Sequence, residues 1–193
     1  MKNRLTIILL IFTTSFSFGQ ELIAYEENGK FGYQDSIGNI IITPKYDYVK
    51  DFSQGFARVN IGGSYHVTEG GYTYFKGGKW GVIDRTGKEI TPIKYDKIHD
   101  FSEGCARVNI GGNFEVKKYL DGENYKNYTY FTGGKWGLID PTGKEITPIK
   151  YDNISDFSEG RALVGISEKF GYIDTTGKEV VPVIYILEAK DVK

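Results

Sequence analysis

The chain has 193 residues, with 24 Lys and Arg against 25 Asp and Glu, so its formal net charge is −1. This balance, without a basic cluster, excludes the charge pattern of proteins that bind nucleic acid or an anionic membrane surface. The one cysteine, Cys105, excludes an intramolecular disulfide, so an exported fold must be held by its hydrophobic core. About 170 residues are sufficient to build that core as one domain.

The first 19 residues have the pattern of a secretory signal peptide. Lys2 and Arg4 form a charged start, residues 5–12 are apolar, and Gly19 is one of the small residues that precede a cleavage site. The apolar segment is short for a membrane span, and no stop-transfer segment follows it. We therefore expect an exported protein, periplasmic, cell-surface or secreted, whose mature part is residues 20–193. A retained N-terminal anchor is the alternative.

One 18-residue pattern occurs four times and organises the rest of the chain. Its third copy reads KWGLIDPTGKEITPIKYD, and the four copies begin at Lys30, Lys79, Lys135 and Lys169. Repetition of this kind indicates a chain built from copies of one supersecondary unit, in which each copy buries its apolar face against the next.

Each unit is predicted to contain three strands. In unit one, Leu22 to Tyr25 is the first strand, the pair Asn28-Gly29 is typical of a two-residue hairpin, and Lys30 to Asp35 is the middle strand. The last strand follows near residues 40–46, so the expected order in each sheet is last, middle, first.

The sequence thus predicts an all-β domain, a tandem repeat of four three-stranded antiparallel meanders. An open twisted stack and a small propeller-like ring both remain possible arrangements. The predicted units are about 20–48, 56–97, 105–153 and 161–187.

Turn residues follow every middle strand. The segment Asp140-Pro141-Thr142-Gly143 has the Asp, Pro and Gly positions of a type I turn. We expect the Asp that ends each middle strand to cap the turn. A catalytic carboxylate is the alternative, but four equivalent copies are a poor way to build one active site.

The segments between units offer little catalytic or metal chemistry. Asp96, Asp100 and Glu103 do not have the alternating spacing of an EF-hand loop, so no metal site is expected. His99 is expected to be exposed on a loop. Cys105 lacks an accompanying His–Asp set, and neighbouring units have Phe or Arg at its position. We therefore predict no catalytic residue, no cofactor and no enzyme activity.

The symmetry of the hairpins between first and middle strands predicts their register. The expected cross-strand pairs are Tyr25–Gly32, Val59–Gly81, Val108–Gly137 and Val164–Gly171. The Gly in each pair should leave room for its cross-strand partner. The aromatic residue before that Gly should be the large core element of its unit. These aromatic residues are Phe31, Trp80, Trp136 and Phe170.

The motif K-[WF]-G-x-I-D-x-x-G-K-E-x-x-P-x-x-Y-D, followed by D-F-S-E-G, resembles the bacterial WG repeat family over nearly the whole mature chain. Unit one departs from it, because Gln34 replaces Ile and Pro44 is shifted by one place. Unit four ends in Tyr185-Ile186 and lacks the Asp. The resemblance implies a β-rich repeat, often on exported proteins, with a general interaction role. It supplies no catalytic residues.

Two of the four hairpins are extended, and we name the extensions the first arm, Ser64 to Lys76, and the second arm, Asn113 to Thr132. One face of each arm is apolar and should dock on the other arm or on the body. That face carries Tyr65, Phe75, Phe114 and Phe131. The opposite face, which we name the tyrosine face of each arm, is the predicted binding surface. Its candidate residues are His66, Tyr72, Tyr74, Lys117, Tyr128 and Tyr130.

The expected function is therefore a protein-binding or scaffold module that uses the two aromatic arms. A carbohydrate-binding module for envelope glycans is the alternative, because acidic residues and Lys accompany the exposed Tyr side chains. A third possibility is that the arms are ordinary long hairpins that only pack. A protein partner is favoured over a glycan, and we expect no nucleic acid and no membrane span after signal cleavage.

Overall fold

A computed structural model describes residues 21–68, 71–121 and 124–186, and the predicted signal peptide lies outside these ranges. The described residues form thirteen β-strands. The strands are β1 (Ile23–Glu27), β2 (Lys30–Gln34), β3 (Ile40–Tyr46), β4 (Tyr48–Val49), β5 (Phe56–Val67), β6 (Thr73–Asp84), β7 (Lys97–Ile98), β8 (Ala106–Asp121), β9 (Asn124–Ile139), β10 (Asn153–Ile154), β11 (Arg161–Ile166), β12 (Lys169–Asp174) and β13 (Glu179–Tyr185). In this part of the chain no helix has the length and hydrophobicity needed to cross a membrane.

The strands form four antiparallel sheets, ordered β1-β2-β3, β4-β5-β6, β7-β8-β9 and β10-β11-β12-β13. The prediction of an all-β repeat of four meanders is confirmed. All four predicted registers between first and middle strands are also confirmed, with the pairs Tyr25–Gly32, Val59–Gly81, Val108–Gly137 and Val164–Gly171. The glycine pairs and tight turns of the sequence therefore determine how each hairpin aligns.

The segments that link the units contribute short edge strands that the sequence did not predict. β4, β7 and β10 each pair with the first strand of the unit that follows. Val49, Ile98 and Ile154 lie in these strands opposite valines of the first strands, and all three are buried. Each link therefore joins two units and also adds a strand to the second.

The last strand is formed only in units one and four, as β3 and β13, and its pairing with the middle strand is bulged in both. In units two and three it is reduced to isolated bridges, such as those of Trp80 with Tyr95 and Trp136 with Tyr151. A threonine hydroxyl lies at this point in both units: Thr91 Oγ1 accepts a hydrogen bond from the Val82 amide at 3.0 Å. Thr147 does the same for Leu138 at 2.8 Å. Units one and four have Ile42 and Val181 at this position, whose side chains cannot accept a hydrogen bond, and both residues pair with the middle strand.

The glycine after each Trp or Phe has a different role from the one predicted. A Cβ atom on Gly137 would lie 2.9 Å from Cγ1 and 3.1 Å from Cα of Ile149. A Cβ on Gly32 would lie 2.1 Å from the Ile42 carbonyl oxygen. Both contacts are with the last segment of the unit. The prediction that this glycine makes room for the first strand was therefore wrong, because the tight approach is on the other side.

Three hydrophobic clusters hold the stack, and each joins neighbouring units. Their largest aromatic side chains are tyrosines, including Tyr46, Tyr95 and Tyr151, which are at most 1% exposed. Trp80 and Trp136 are only half-buried and pack at the margins of the clusters. The prediction that the Trp or Phe of each motif is the large core element was wrong. Among the residues that the structure describes, no cluster joins the first unit to the last, and both outer units expose apolar side chains, so this part of the chain forms an open stack.

Acidic side chains lock the turns and the junctions. Asp84 and Asp140 each accept hydrogen bonds from backbone amides two and four residues later, which confirms the predicted capping role. Threonine hydroxyl and backbone hydrogen bonds lower the pKa of both carboxyls. The Asp of the Tyr-Asp pair acts between units: Asp47 accepts from Lys30 Nζ at 2.6 Å and from the Gly62 amide at 2.8 Å.

Candidate functional site

The two arms are continuous extensions of the strand pairs β5–β6 and β8–β9. In the first arm the pairing runs from Ser64–Lys76 to Val67–Thr73, and the Thr68 amide then donates to the Tyr72 carbonyl at 2.9 Å. In the second arm it runs from Asn113–Thr132 to Asp121–Asn124. Both arms keep the register of the body, so the two faces predicted from the alternation of side chains are retained.

The apolar face of the first arm packs on the body only at its base. The Phe75 ring stacks on Tyr48 with 4.8 Å between centroids and meets Trp80 at 6.3 Å. Tyr65, directly opposite Phe75, also meets the Tyr48 ring edge to face at 6.1 Å, although it is 57% exposed. Val67, two residues further out, is 67% exposed. The predicted docking is therefore confirmed for Phe75 and Tyr65, while the outer half of this face is open.

The apolar face of the second arm also packs at its base. The rings of Phe114 and Phe131 meet edge to face at 5.0 Å, and Phe131 contacts Trp136 at 5.7 Å. The ammonium of Lys97 lies 4.9 Å from the Phe131 ring, an arrangement favourable to the cation. Phe114 and Phe131 therefore dock as predicted.

One hydrogen bond between the arms places the tyrosine face of the first arm towards the apolar face of the second. Thr68 lies on the tyrosine face of the first arm, opposite Tyr72, and Asn127 lies on the same face of the second arm as Phe131. The Asn127 side-chain amide donates to Thr68 Oγ1 at 3.4 Å. The outward tyrosine face of the pair is consequently that of the second arm.

The candidate residues of the first arm form a short aromatic row. His66 pairs across the strands with Tyr74, with 5.7 Å between ring centroids, and Tyr72 stacks on Tyr74 at 6.1 Å. Both tyrosines are half-buried, and His66 is exposed. The row lies on the side of the first arm that faces the second, which is not the outward position expected from the sequence.

The candidate residues of the second arm form a longer and more open row. Tyr128 contacts Tyr130 at 6.0 Å and Tyr119 at 5.6 Å. The Lys117 ammonium lies 4.5 Å from the Tyr130 ring. The Tyr130 hydroxyl donates to Glu115, and this hydrogen bond raises the pKa of Tyr130.

Tyr119 is a member of this row that sequence reasoning missed. It is 44% exposed, and Tyr128 is 42% exposed. The signal was present, because Tyr119 follows Lys117 by two residues and alternation places both on one face. We name the set Lys117, Tyr119, Tyr128 and Tyr130 the outer row.

The two remaining titratable side chains considered in the sequence, His99 and Cys105, are both at least half-buried. His99 was expected to be exposed, but it is half-buried between Arg107, 3.1 Å from its Nδ1, and the Trp136 ring. Burial and the Arg107 charge lower the pKa of His99 to about 4. Burial raises the pKa of Cys105 to about 11, so its thiol stays protonated. Within residues 21–68, 71–121 and 124–186 no group of His, Cys, Asp and Glu has the geometry of a metal site.

Comparison with known families gives one match. The family described as WG containing repeat matches residues 31–65, 80–114, 136–169 and 170–185, which together are more than half of the chain. No curated protein and no solved structure shows significant similarity to the chain.

Proposed function

Since the chain belongs to the WG containing repeat family, we propose that it is an exported, non-enzymatic module that binds a protein partner through the outer row of its second arm. In the body of each unit, the motif residues that recur from unit to unit make internal contacts, such as the turns capped by Asp84 and Asp140. Units one and four close the same hairpin with a two-residue turn, so the fold of a unit does not require an arm. The arms are therefore the part of the chain that is free to serve recognition.

The observation that carries the proposal is the composition and exposure of the outer row. Tyr119 and Tyr128 are each more than two-fifths exposed on a surface that faces away from the first arm. Tyrosine is enriched at protein interfaces because its ring gives a large contact area and its hydroxyl gives a hydrogen bond. The rings of the row also support one another, so little side-chain freedom remains to be lost on binding.

The ring geometry favours a protein over a glycan. The planes of Tyr119 and Tyr128 are inclined at 69°, and those of Tyr128 and Tyr130 at 43°. Rings inclined to each other form a corrugated surface that suits interdigitating side chains, whereas a flat platform would suit a sugar ring. A glycan remains the second candidate, because Lys117 and Glu115 flank the rings and can hydrogen-bond hydroxyl groups.

Export is part of the proposal and has its own test. The tripartite pattern of residues 1–19 supports cleavage before Gln20. Intact-mass measurement of the protein recovered from envelope and medium fractions should give a chain that begins at Gln20. A protein that retains Met1 in those fractions would contradict export with cleavage.

The binding surface is tested by site-specific photo-crosslinking in the cells that produce the protein. A photoreactive phenylalanine analogue placed at Tyr128, which is 42% exposed, should give a discrete adduct with a protein. The matched control is the same analogue at Tyr65, which is 57% exposed on the other arm.

We expect the adduct from Tyr128 and none from Tyr65. Equal adducts from both positions, or none from Tyr128, would contradict the proposed surface. A glycan array probed with the purified protein separates the second candidate: binding that is lost in Tyr119→Ser/Tyr128→Ser, without a protein adduct, would assign the same row to a glycan.

A further inference from the structure

Unit four exposes a face that is core in the other units. The fourth position of the motif is fully buried in units one to three and 42% exposed in unit four. The residues at that position are Tyr33, Val82, Leu138 and, in unit four, Tyr172. The tyrosine of the Tyr-Asp pair is at most 1% exposed in Tyr46, Tyr95 and Tyr151, but its counterpart Tyr185 is 55% exposed. In the earlier units the next unit supplies the cover.

The interior junctions show what that cover consists of. The turn glycine of each following unit lies close on the last segment of the unit before it. A Cβ on Gly143 would be 2.0 Å from the Ile90 carbonyl oxygen, and one on Gly177 would be 2.5 Å from that of Ile146. The corresponding face of unit four has Val180, 41% exposed, at the position of Ile90 and Ile146, and the turn of a following unit would contact it there.

An ionic pair lies beside this contact at two of the interior junctions. Lys94 Nζ of unit two is 2.8 Å from Glu145 Oε1 of unit three, and Lys150 of unit three is 3.2 Å from Glu179 of unit four. The position of the Lys in unit four is taken by Ile184, which is 61% exposed. The position of the Glu in unit one is taken by Ile40, which is 50% exposed.

Both partners of the ionic pair are thus replaced by isoleucine, one on each outer face of the stack. A lone substitution would leave a charge facing an apolar residue, but the two together make matching apolar positions. Ile23, 46% exposed, lies opposite Gln34 and extends the apolar surface of unit one. Gln34 stands where units two to four have a buried Ile, which keeps this surface partly polar.

We infer that the outer face of unit four binds the outer face of unit one of a second copy of this chain. The contact repeats the interior junction, with Ile184 of one copy against Ile40 of the other in place of the Lys–Glu pair. Because the two surfaces differ, the association is heterologous and extends head to tail. This inference is independent of the proposed function of the arms.

Sedimentation velocity over a range of concentrations tests the inference with the full mature chain. The wild-type chain should associate reversibly. The variants I184K and I40E should each weaken association by at least about tenfold, because each places an unpaired charge against an apolar surface. The double variant I184K/I40E should recover association, because the new ammonium and carboxylate recreate the ionic pair of the interior junctions.

A third substitution, V67K, is the matched control, since Val67 is equally apolar and 67% exposed but lies on the first arm. It should leave association unchanged, and a thermal transition should show that all variants fold. A wild-type chain that stays monomeric would overturn the inference, and so would V67K acting in place of I184K. A double variant as weak as I184K would also overturn it, because positions 184 and 40 would then not face each other across the contact.

Discussion

The body and the arms of this molecule follow the same pairing rules, yet their residues are determined differently. In the body, a motif position makes the same contact in unit after unit: Asp84, Asp140 and Asp174 all cap turns. In the arms, one pattern of faces meets unlike neighbours. Phe75 stacks on Tyr48, but the equivalent of Tyr48 beneath the second arm is Lys97.

The difference shows where this fold can vary without loss of structure. A body residue has its partner in the next copy of the same motif, so a change must be compatible with two units. An arm residue beyond the base has at most one neighbouring arm, and the outer row of the second arm faces away from it. Residues of such a surface do not have to fit a neighbouring unit, so they can be specialised for one partner.

The largest expected loss of stability comes from a body tyrosine that a neighbouring unit covers. Tyr151→Ala removes a side chain that is 1% exposed, whereas Tyr185→Ala removes the same side chain at the same motif position where it is 55% exposed. We expect Tyr151→Ala to lower the free energy of unfolding by about 3–5 kcal/mol, and Tyr185→Ala by less than about 1 kcal/mol. Chemical denaturation at low protein concentration measures both. Equal losses would show that the cover from a neighbouring unit does not determine the role of this tyrosine.

A smaller effect is expected from the threonine hydroxyl that accepts from a backbone amide beside the interrupted last strand of unit two. Thr91→Val leaves the buried amide of Val82 without its acceptor, so the free energy of unfolding should fall by about 1–3 kcal/mol. Thr129→Val, at a half-buried position of the second arm, should change it by less than about 0.5 kcal/mol. If both substitutions had the same effect, arm and body would not differ in how strictly their residues are determined.

The smallest effect on stability concerns the carboxylates at the junctions and depends on pH. The hydrogen bond from Lys30, followed by that from the Gly62 amide, lowers the pKa of Asp47 below its ordinary 3.8. A lowered folded-state pKa contributes stability that is fully present above the ordinary value and is lost as the pH falls through the folded value. Asp47→Asn should therefore destabilise by about 1 kcal/mol at neutral pH and much less well below pH 3.8.

Urea unfolding of both proteins at neutral and at acidic pH checks this expectation. The two unfolding curves should approach each other on acidification. A difference that is constant with pH would mean that Asp47 acts by packing and not through its charge.

Much of the fold could be predicted because it is local or repeated. The register of the four hairpins follows from Asn28-Gly29, Ser167-Glu168 and the glycine pairs. In each of these pairs at least one residue has a positive φ. The capping role of Asp140 follows from its place before Pro141 and Gly143. The turn and the register each depend on a few residues that are close in the sequence or symmetric about one point.

What the sequence did not predict depends on contact between units. Trp136 is a residue type expected in a core, but its ring is only partly buried and packs against a cluster in which Tyr151 is fully buried. His99 stands where the other links have Lys50 and Ser155, which indicates an exposed position, but it is enclosed by Arg107 and Trp136 of the next unit. The orientation of the arms likewise depends on how far one unit rotates relative to the next, which no single unit encodes.

The central claim is that the second arm carries recognition while the body carries stability. Its most direct test replaces Asn113 to Thr132 by a short turn, keeping the flanking glycine pairs, and compares the product with a protein in which Ser64 to Lys76 is replaced in the same way. Quantitative mass spectrometry then measures which envelope proteins each form captures relative to the parent. We predict that both shortened proteins unfold cooperatively and that only the one without the second arm loses the captured partner. A protein that lacks the second arm and still captures that partner as well as the parent would contradict the account.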